Sequence, residues 1–137
     1  MPRPSVLLVD DSSAILNHVS TLLRKGKQYE IASTTEGTEV FSEYYRLRPD
    51  VIVLDISMGA VSGIDIAREL RDSGCHSKIV FLTVHEDSDF MNAAMGAGGS
   101  AYVVKSRLGA DLISAIESVL AGKIFVSPSL LNQRSRG

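Results

Sequence analysis

The sequence predicts an α/β fold, a parallel sheet held between two layers of helices. Three observations predict it: short, continuously apolar, β-branched runs recur along the chain, segments with helical spacing separate them, and the two alternate strictly. Runs that are apolar on both faces suit strands of a sheet covered on both sides. Strict alternation implies parallel strands joined by right-handed crossovers. Composition permits such a core. The chain has 137 residues, 45% hydrophobic and 22% charged, the length and balance of one globular domain.

The elements follow in order. Val6-Leu7-Leu8-Val9 is the first strand. Ile15, Val19, Leu22 and Leu23 then fall at i, i+4, i+7 and i+8, a helical stripe with Ser12 or Ser13 as cap and Gly26 as stop. Tyr29–Ser33 is a weaker strand, followed by a stripe of Val40, Phe41, Tyr44, Tyr45 and Leu47. Val51–Leu54 is the third strand. Ser62 precedes a short third stripe, Ile64, Ala67 and Leu70, that stops at Gly74. Ile79–Leu82 is the fourth strand. After Asp87 or Ser88 comes an Ala-rich stripe of Phe90, Ala93, Ala94 and Ala97, stopped by Gly96 or Gly98. Ala101–Val104 is the fifth strand, and Leu112, Ile116, Val119 and Leu120 form the last helix, ending at Gly122. Lys123–Pro128 reads as an extended piece and Ser129–Gly137 as a polar tail with two arginines. Five strands in this plan fit a flavodoxin-like (βα)5 three-layer sandwich with sheet order 2-1-3-4-5.

Several function classes drop out. Fourteen basic against sixteen acidic residues, a formal charge of −2, gives no support for the whole domain as a nucleic-acid binder. The lone Cys75 makes no internal disulfide, and with only His18, His76 and His85 for company it builds no structural zinc site. Val6–Val9 is too short for a signal-peptide core or a membrane span, so a soluble cytoplasmic protein is expected. Gly96–Ala101 matches G-x-G-x-x-A, but it follows a helix and precedes a strand, the reverse of a nucleotide-binding turn.

In an open α/β sheet, ligands bind beyond the carboxyl ends of the strands where the strand order reverses. Asp10 and Asp11 follow the first strand, Asp55 the third, Thr83 the fourth and Lys105 the fifth. Strands 1 and 3 are neighbours in the expected order, so three carboxylates meet at one edge. Clustered acids repel and raise at least one pKa unless a cation joins them. A set of oxygen ligands alone suits a hard cation, Mg²⁺ before Ca²⁺. A metal-bound carboxylate beside a free cation, Lys105, and a hydroxyl, Thr83, is an arrangement for phosphoryl transfer, with the carboxylate attacking phosphorus.

These residues carry a family resemblance. Val6–Asp11, Val51–Asp55, Phe81-Leu82-Thr83 and Tyr102–Ser106 together resemble the receiver domain of two-component response regulators over about residues 5–121. The resemblance implies that Asp55 is the phosphoacceptor and that Asp10, Asp11, Asp55 and the Ser57 carbonyl hold Mg²⁺. It implies that Thr83 and Lys105 bind the phosphoryl group and that Thr83 and Tyr102 form the switch. It further implies a sensor histidine kinase as donor. Ser57 and His85, each two residues past a key position, would line the path of attacking water. Leu108–Leu120, the Gly122-Lys123 ending and Val126-Ser127-Pro128 are similar to the subfamily with a C-terminal LuxR-type helix-turn-helix domain. On that reading residues 122–137 begin an interdomain linker, DNA is bound only through a domain outside this chain, and phosphorylation can drive a homodimer. A stand-alone receiver is the other reading. One position departs from the family: the usual Pro four residues after the phosphoacceptor is Gly59, and the segment 58–63 is expected to be more mobile for it.

Read from the residues alone, plainer roles stay open. Asp10-Asp11 can be read as caps of the first helix, Lys105 as a solvated loop residue, Thr83 and Tyr102 as ordinary strand residues, and His85 as a loop residue near the site. An Asp-nucleophile phosphatase, an FMN-binding module and a degenerate receiver are the functional rivals.

Overall fold

The computed structural model describes residues 3–26 and 28–128. Its main sheet has six parallel strands: β1 (Ser5–Val9), β2 (Glu30–Thr34), β3 (Val51–Leu54), β4 (Lys78–Thr83), β5 (Ala101–Val104) and β6 (Phe125–Val126). They lie in the order β2-β1-β3-β4-β5-β6. Five helices connect them: α1 (Ser13–Arg24), α2 (Val40–Leu47), α3 (Gly63–Asp72), α4 (Ser88–Gly96) and α5 (Leu108–Leu120). The expected order 2-1-3-4-5 is present. The extended piece after Gly122 adds a sixth, two-residue strand on the β5 edge, which the sequence reading left unpaired.

Alternation along each strand divides the core in two. Leu7, Val9, Ile52, Leu54, Phe81 and Tyr102 face α2, α3 and α4, while Val6, Leu8, Val53, Val80, Leu82 and Val103 face α1 and α5. Both faces of the central strands are therefore dry, which is why these strands read as unbroken apolar runs.

Local chemistry sets the helix ends. The Ser12 hydroxyl accepts the Ile15 N–H at 3.3 Å, so Ser12 is the cap of α1. Helix α2 stops without a glycine. Arg48 takes a left-handed conformation (φ 45°), its N–H donating to the Tyr44 carbonyl at 2.8 Å, and Pro49 cannot extend the helix. In α4 the buried side chains are Met91 and Ala94, with Ala97 buried just beyond, whereas Phe90 is 36% exposed. The apolar face is thus turned by one residue from the expected stripe, because Phe90 is taken by a contact at the site.

The segment around Gly59 is a hairpin rather than an open loop. Ser57–Met58 pairs antiparallel with Val61–Ser62. Gly59 has φ +62° at the first position of the two-residue turn, as a type II′ turn requires. The segment expected to be loose without the proline is paired as a ribbon, and the glycine is what lets it close. The ribbon seats on Gly37, where an added Cβ would lie 2.9 Å from Val61 Cγ1.

Candidate functional site

The parallel register brings the strand ends together. Val9 pairs with Leu54 and Leu54 with Phe81, so the residues that follow β1 and β3 lie side by side. Asp10, Asp11 and Asp55 each present a carboxylate oxygen within 4.8 Å of the others. Asp10 and Asp55 are 3% and 4% exposed, while Asp11 faces solvent. Lys105 joins the three acids through its ammonium, and Thr83 ends β4 at the same end of the sheet, paired in register with Val104.

Asp10 serves two ends at once. Its Oδ1 accepts the Ser12 N–H at 2.9 Å and so fixes the turn into α1, which is the plain capping role. Its Oδ2 is buried and accepts no hydrogen bond, although the Lys105 ammonium lies 2.8 Å away as an ion-pair partner. The same ammonium is 3.5 Å from Asp55 Oδ2. Lys105 is therefore not the free cation of the sequence reading. It leans over the site and partly neutralises two acids, because the apolar strand β5 delivers it there with most of its stem covered.

Asp55 accepts the Ser57 N–H on Oδ1 at 3.3 Å, and its own N–H donates to the Val9 carbonyl at 2.9 Å. Burial pushes the Asp55 carboxyl up to about 6, and the negative charge of Asp10 adds to the rise against the pull of Lys105 and the Ser57 N–H. One positive charge among three acids leaves the cluster short of counter-charge. That shortage of counter-charge and the all-oxygen donor set fit a hard divalent cation. Ser57, whose carbonyl the resemblance implied as a further ligand, is the first residue of the ribbon and touches Asp55 through its N–H.

Thr83 is fully buried, and its hydroxyl accepts the His85 N–H at 3.1 Å. Tyr102 is also fully buried and already points inward, its hydroxyl donating to the His85 carbonyl at 2.8 Å. Burial, with the charge of Asp87 behind it, holds the Tyr102 phenol above its usual range. His85 lies in the loop between β4 and α4, half-buried, and its side chain has two partners. Its Nε2 is 2.9 Å from the Ser57 hydroxyl, and its ring stacks on Phe90 of α4 with centroids 3.8 Å apart and planes at 5°.

Sequence reasoning missed Gly63. An added Cβ there would lie 2.0 Å from the Asp55 carbonyl oxygen, and the Gly63 N–H donates to the Ile56 carbonyl at 2.7 Å. Only a residue without a side chain lets α3 start against the Asp55 loop. A glycine at the first position of a helix after a Ser cap was the available signal. Sequence reasoning also missed Ser127, which is fully buried beside β5. Cys75 and the Gly96–Ala101 run lie away from the site, and Gly99 in that run is pressed against Phe81, where an added Cβ would lie 2.7 Å from the ring.

Comparison with known proteins agrees with this geometry. The family model for the response regulator receiver domain matches residues 6–117. A nitrate/nitrite response regulator protein homolog of Haemophilus influenzae is 30% identical over 128 residues, covering 93% of this chain and 62% of the relative. The transcriptional regulatory protein DesR of Bacillus subtilis is also 30% identical over 128 residues, covering 93% and 63%. The chain thus spans a little over three fifths of the length of these curated relatives. Among solved structures, a LuxR-family two-component response regulator from Aurantimonas matches with TM-score 0.92 at 29% identity, covering 98% of this chain and 97% of that one. The isolated REC domain of RcsB from Salmonella enterica serovar Typhimurium, in the presence of phosphomimetic BeF3-, shares the fold with TM-score 0.87 at 19% identity, covering 96% and 98%. Among the described residues no helix is long and apolar enough to cross a membrane. The chain belongs to the receiver-domain family of two-component response regulators, signalling domains whose relatives here include LuxR-type transcription regulators.

Proposed function

We propose that this receiver takes a phosphoryl group onto Asp55 from a sensor histidine kinase in a Mg²⁺-dependent reaction, without turnover of an external substrate. The observation that carries this reading is the meeting of three carboxylates within 4.8 Å, two of them buried, under the ammonium of Lys105. Asp10, Asp11, Asp55 and the Ser57 carbonyl would hold Mg²⁺, which when bound supplies positive charge to the carboxylates and to the phosphoryl oxygens.

The chain's own groups do the rest. An Asp55 carboxylate oxygen forms a bond to phosphorus as the donor's P–N bond breaks, and the departing imidazole keeps the electron pair of that bond. The product is an acyl phosphate. Lys105 exchanges its Asp55 contact for a phosphoryl oxygen and stays close because its stem is packed. The Thr83 hydroxyl, which accepts from His85 N–H, keeps its own proton to donate to a second phosphoryl oxygen. Movement of Thr83 would be felt at His85 and Tyr102, which share hydrogen bonds with it or each other. The new charge and acceptor oxygens bias two conformations only through such differential contacts.

We assign the receiver to residues 5–121 and the start of a linker to 122–137. The output is transcription through a DNA-binding domain beyond this chain, in a cytoplasmic regulator that can dimerise on phosphorylation. The test is labelling by a small phosphodonor such as acetyl phosphate. Wild-type protein should label only with Mg²⁺, and Asp55→Asn should not label. Labelling of that variant at the wild-type level overturns the assignment.

A further inference from the structure

The chain does not end its packing at α5. Phe125 N–H donates to the Ser100 carbonyl at 3.2 Å, and Ser127 N–H donates to the Tyr102 carbonyl at 3.0 Å. One rung further, among the described residues, the Val104 N–H turns to a side chain rather than to a carbonyl of the exit segment. The Ser127 hydroxyl accepts it instead, at 3.2 Å, with both residues fully buried. A side chain thus stands in for the next carbonyl of the ladder and finishes the outer edge of β5. That matters because a buried N–H without an acceptor is costly, and because of which strand this is. Tyr102 gives its hydroxyl to the site through His85 and its carbonyl to Ser127. Val104 immediately precedes Lys105, which spans Asp10 and Asp55. Since β6 runs parallel to β5, residues 127 and 128 lie at the Asp55 end of the sheet, although α5 finishes at the other end.

We propose that Ser127 is a clip that docks the exit segment of this chain onto the switch strand, so that the state of the site and the hold on that segment are coupled. The coupling rests on the phosphoacceptor reading, but the clip itself does not. A phosphoryl group that draws Lys105 toward Asp55 steadies the end of β5, tightening the ladder to β6. By reciprocity, releasing the clip loosens the site.

Amide exchange on the 137-residue chain tests this, with Val104, Phe125 and Ser127 as reporters. In Ser127→Ala, exchange at these three amides should speed by roughly tenfold, the scale of a lost buried hydrogen bond, while Val80–Leu82 of β4 stay unchanged. Ser127→Thr, which keeps the hydroxyl, should restore most of the protection. Unchanged exchange at Val104 in Ser127→Ala overturns the clip. In the second arm, beryllofluoride with Mg²⁺ should slow exchange at the three amides in the wild type, and this slowing should be lost in Ser127→Ala although the variant still binds beryllofluoride by fluorine NMR. Equal slowing in both proteins overturns the coupling. If the wild type binds no beryllofluoride, the phosphoacceptor reading is what fails, and the clip stands or falls on the first arm.

Discussion

Asp55 shows how far one residue's environment departs from its free chemistry. Its carboxyl titrates at about 6 because burial and the Asp10 charge both oppose ionisation, and Lys105 only partly offsets them. The folded pKa is raised above the unfolded value near 3.8. The folded state therefore binds this proton more tightly, a contribution present in full below pH 3.8 and lost as pH rises through 6. A rise of about two units corresponds to about 3 kcal/mol. Asp55→Asn removes the buried charge, so without divalent cation it should be more stable than wild type at pH 8, by about 1–3 kcal/mol. The gain should vanish near pH 4. Denaturant melts of both proteins at the two pH values check this, and a gain of equal size at pH 4 contradicts the assigned cause. The carboxylates were legible from position alone, each just past an apolar run. It could not reveal that Asp10 divides its two oxygens between a helix cap and Lys105, because that depends on where the strand ends point.

At the scale of elements, the ribbon beside Asp55 turns on Gly59. The absence of proline at position 59 is legible in the sequence, but the turn it permits is not. The φ of +62° at Gly59 shows a turn that proline, fixed near −65°, cannot make. Gly59→Pro, although it installs the residue common in the family, should open the hairpin and cost about 1–3 kcal/mol. Gly59→Ala, also disfavoured at positive φ but meeting no neighbouring atom, should cost about 1 kcal/mol. Thermal melts rank the three proteins, and a Gly59→Pro protein as stable as wild type removes the explanation. Helix α4 shows the same limit. Its Ala-rich stripe admitted more than one facing, and the stack of Phe90 on His85 chose Met91 for the core.

Across the whole molecule, the sheet acts as a scaffold that forces unlike charges and like charges into one place. Three acids and one lysine at the carboxyl ends of β1, β3 and β5 leave a deficit of positive charge, the deficit the proposed divalent cation would fill. Binding to the folded state alone stabilises by mass action. Mg²⁺ at about 100 times its dissociation constant should therefore add about 2.7 kcal/mol at pH 8. The rise in melting temperature should be lost on chelation and strongly reduced in Asp10→Asn. An equal rise in wild type and variant would place the cation elsewhere.

The sequence by itself determined the alternation of strands and helices, the sheet order and the identity of the strand-end residues. Those features are written in period and position: apolar runs covered on both faces, helical stripes between them, and polar residues where each run stops. Tertiary structure alone decided that Lys105 is paired, that Tyr102 lies inward, that His85 joins Ser57 to Phe90, and that Gly63 leaves room for the Asp55 carbonyl. It also decided that Ser127 completes the β5 edge. Each of these is a contact between separate elements, some as near in sequence as His85 and Phe90, set by register and by the facing of packed elements. Local pattern has no term for a distance across the fold, so such contacts exist only once the sheet is assembled.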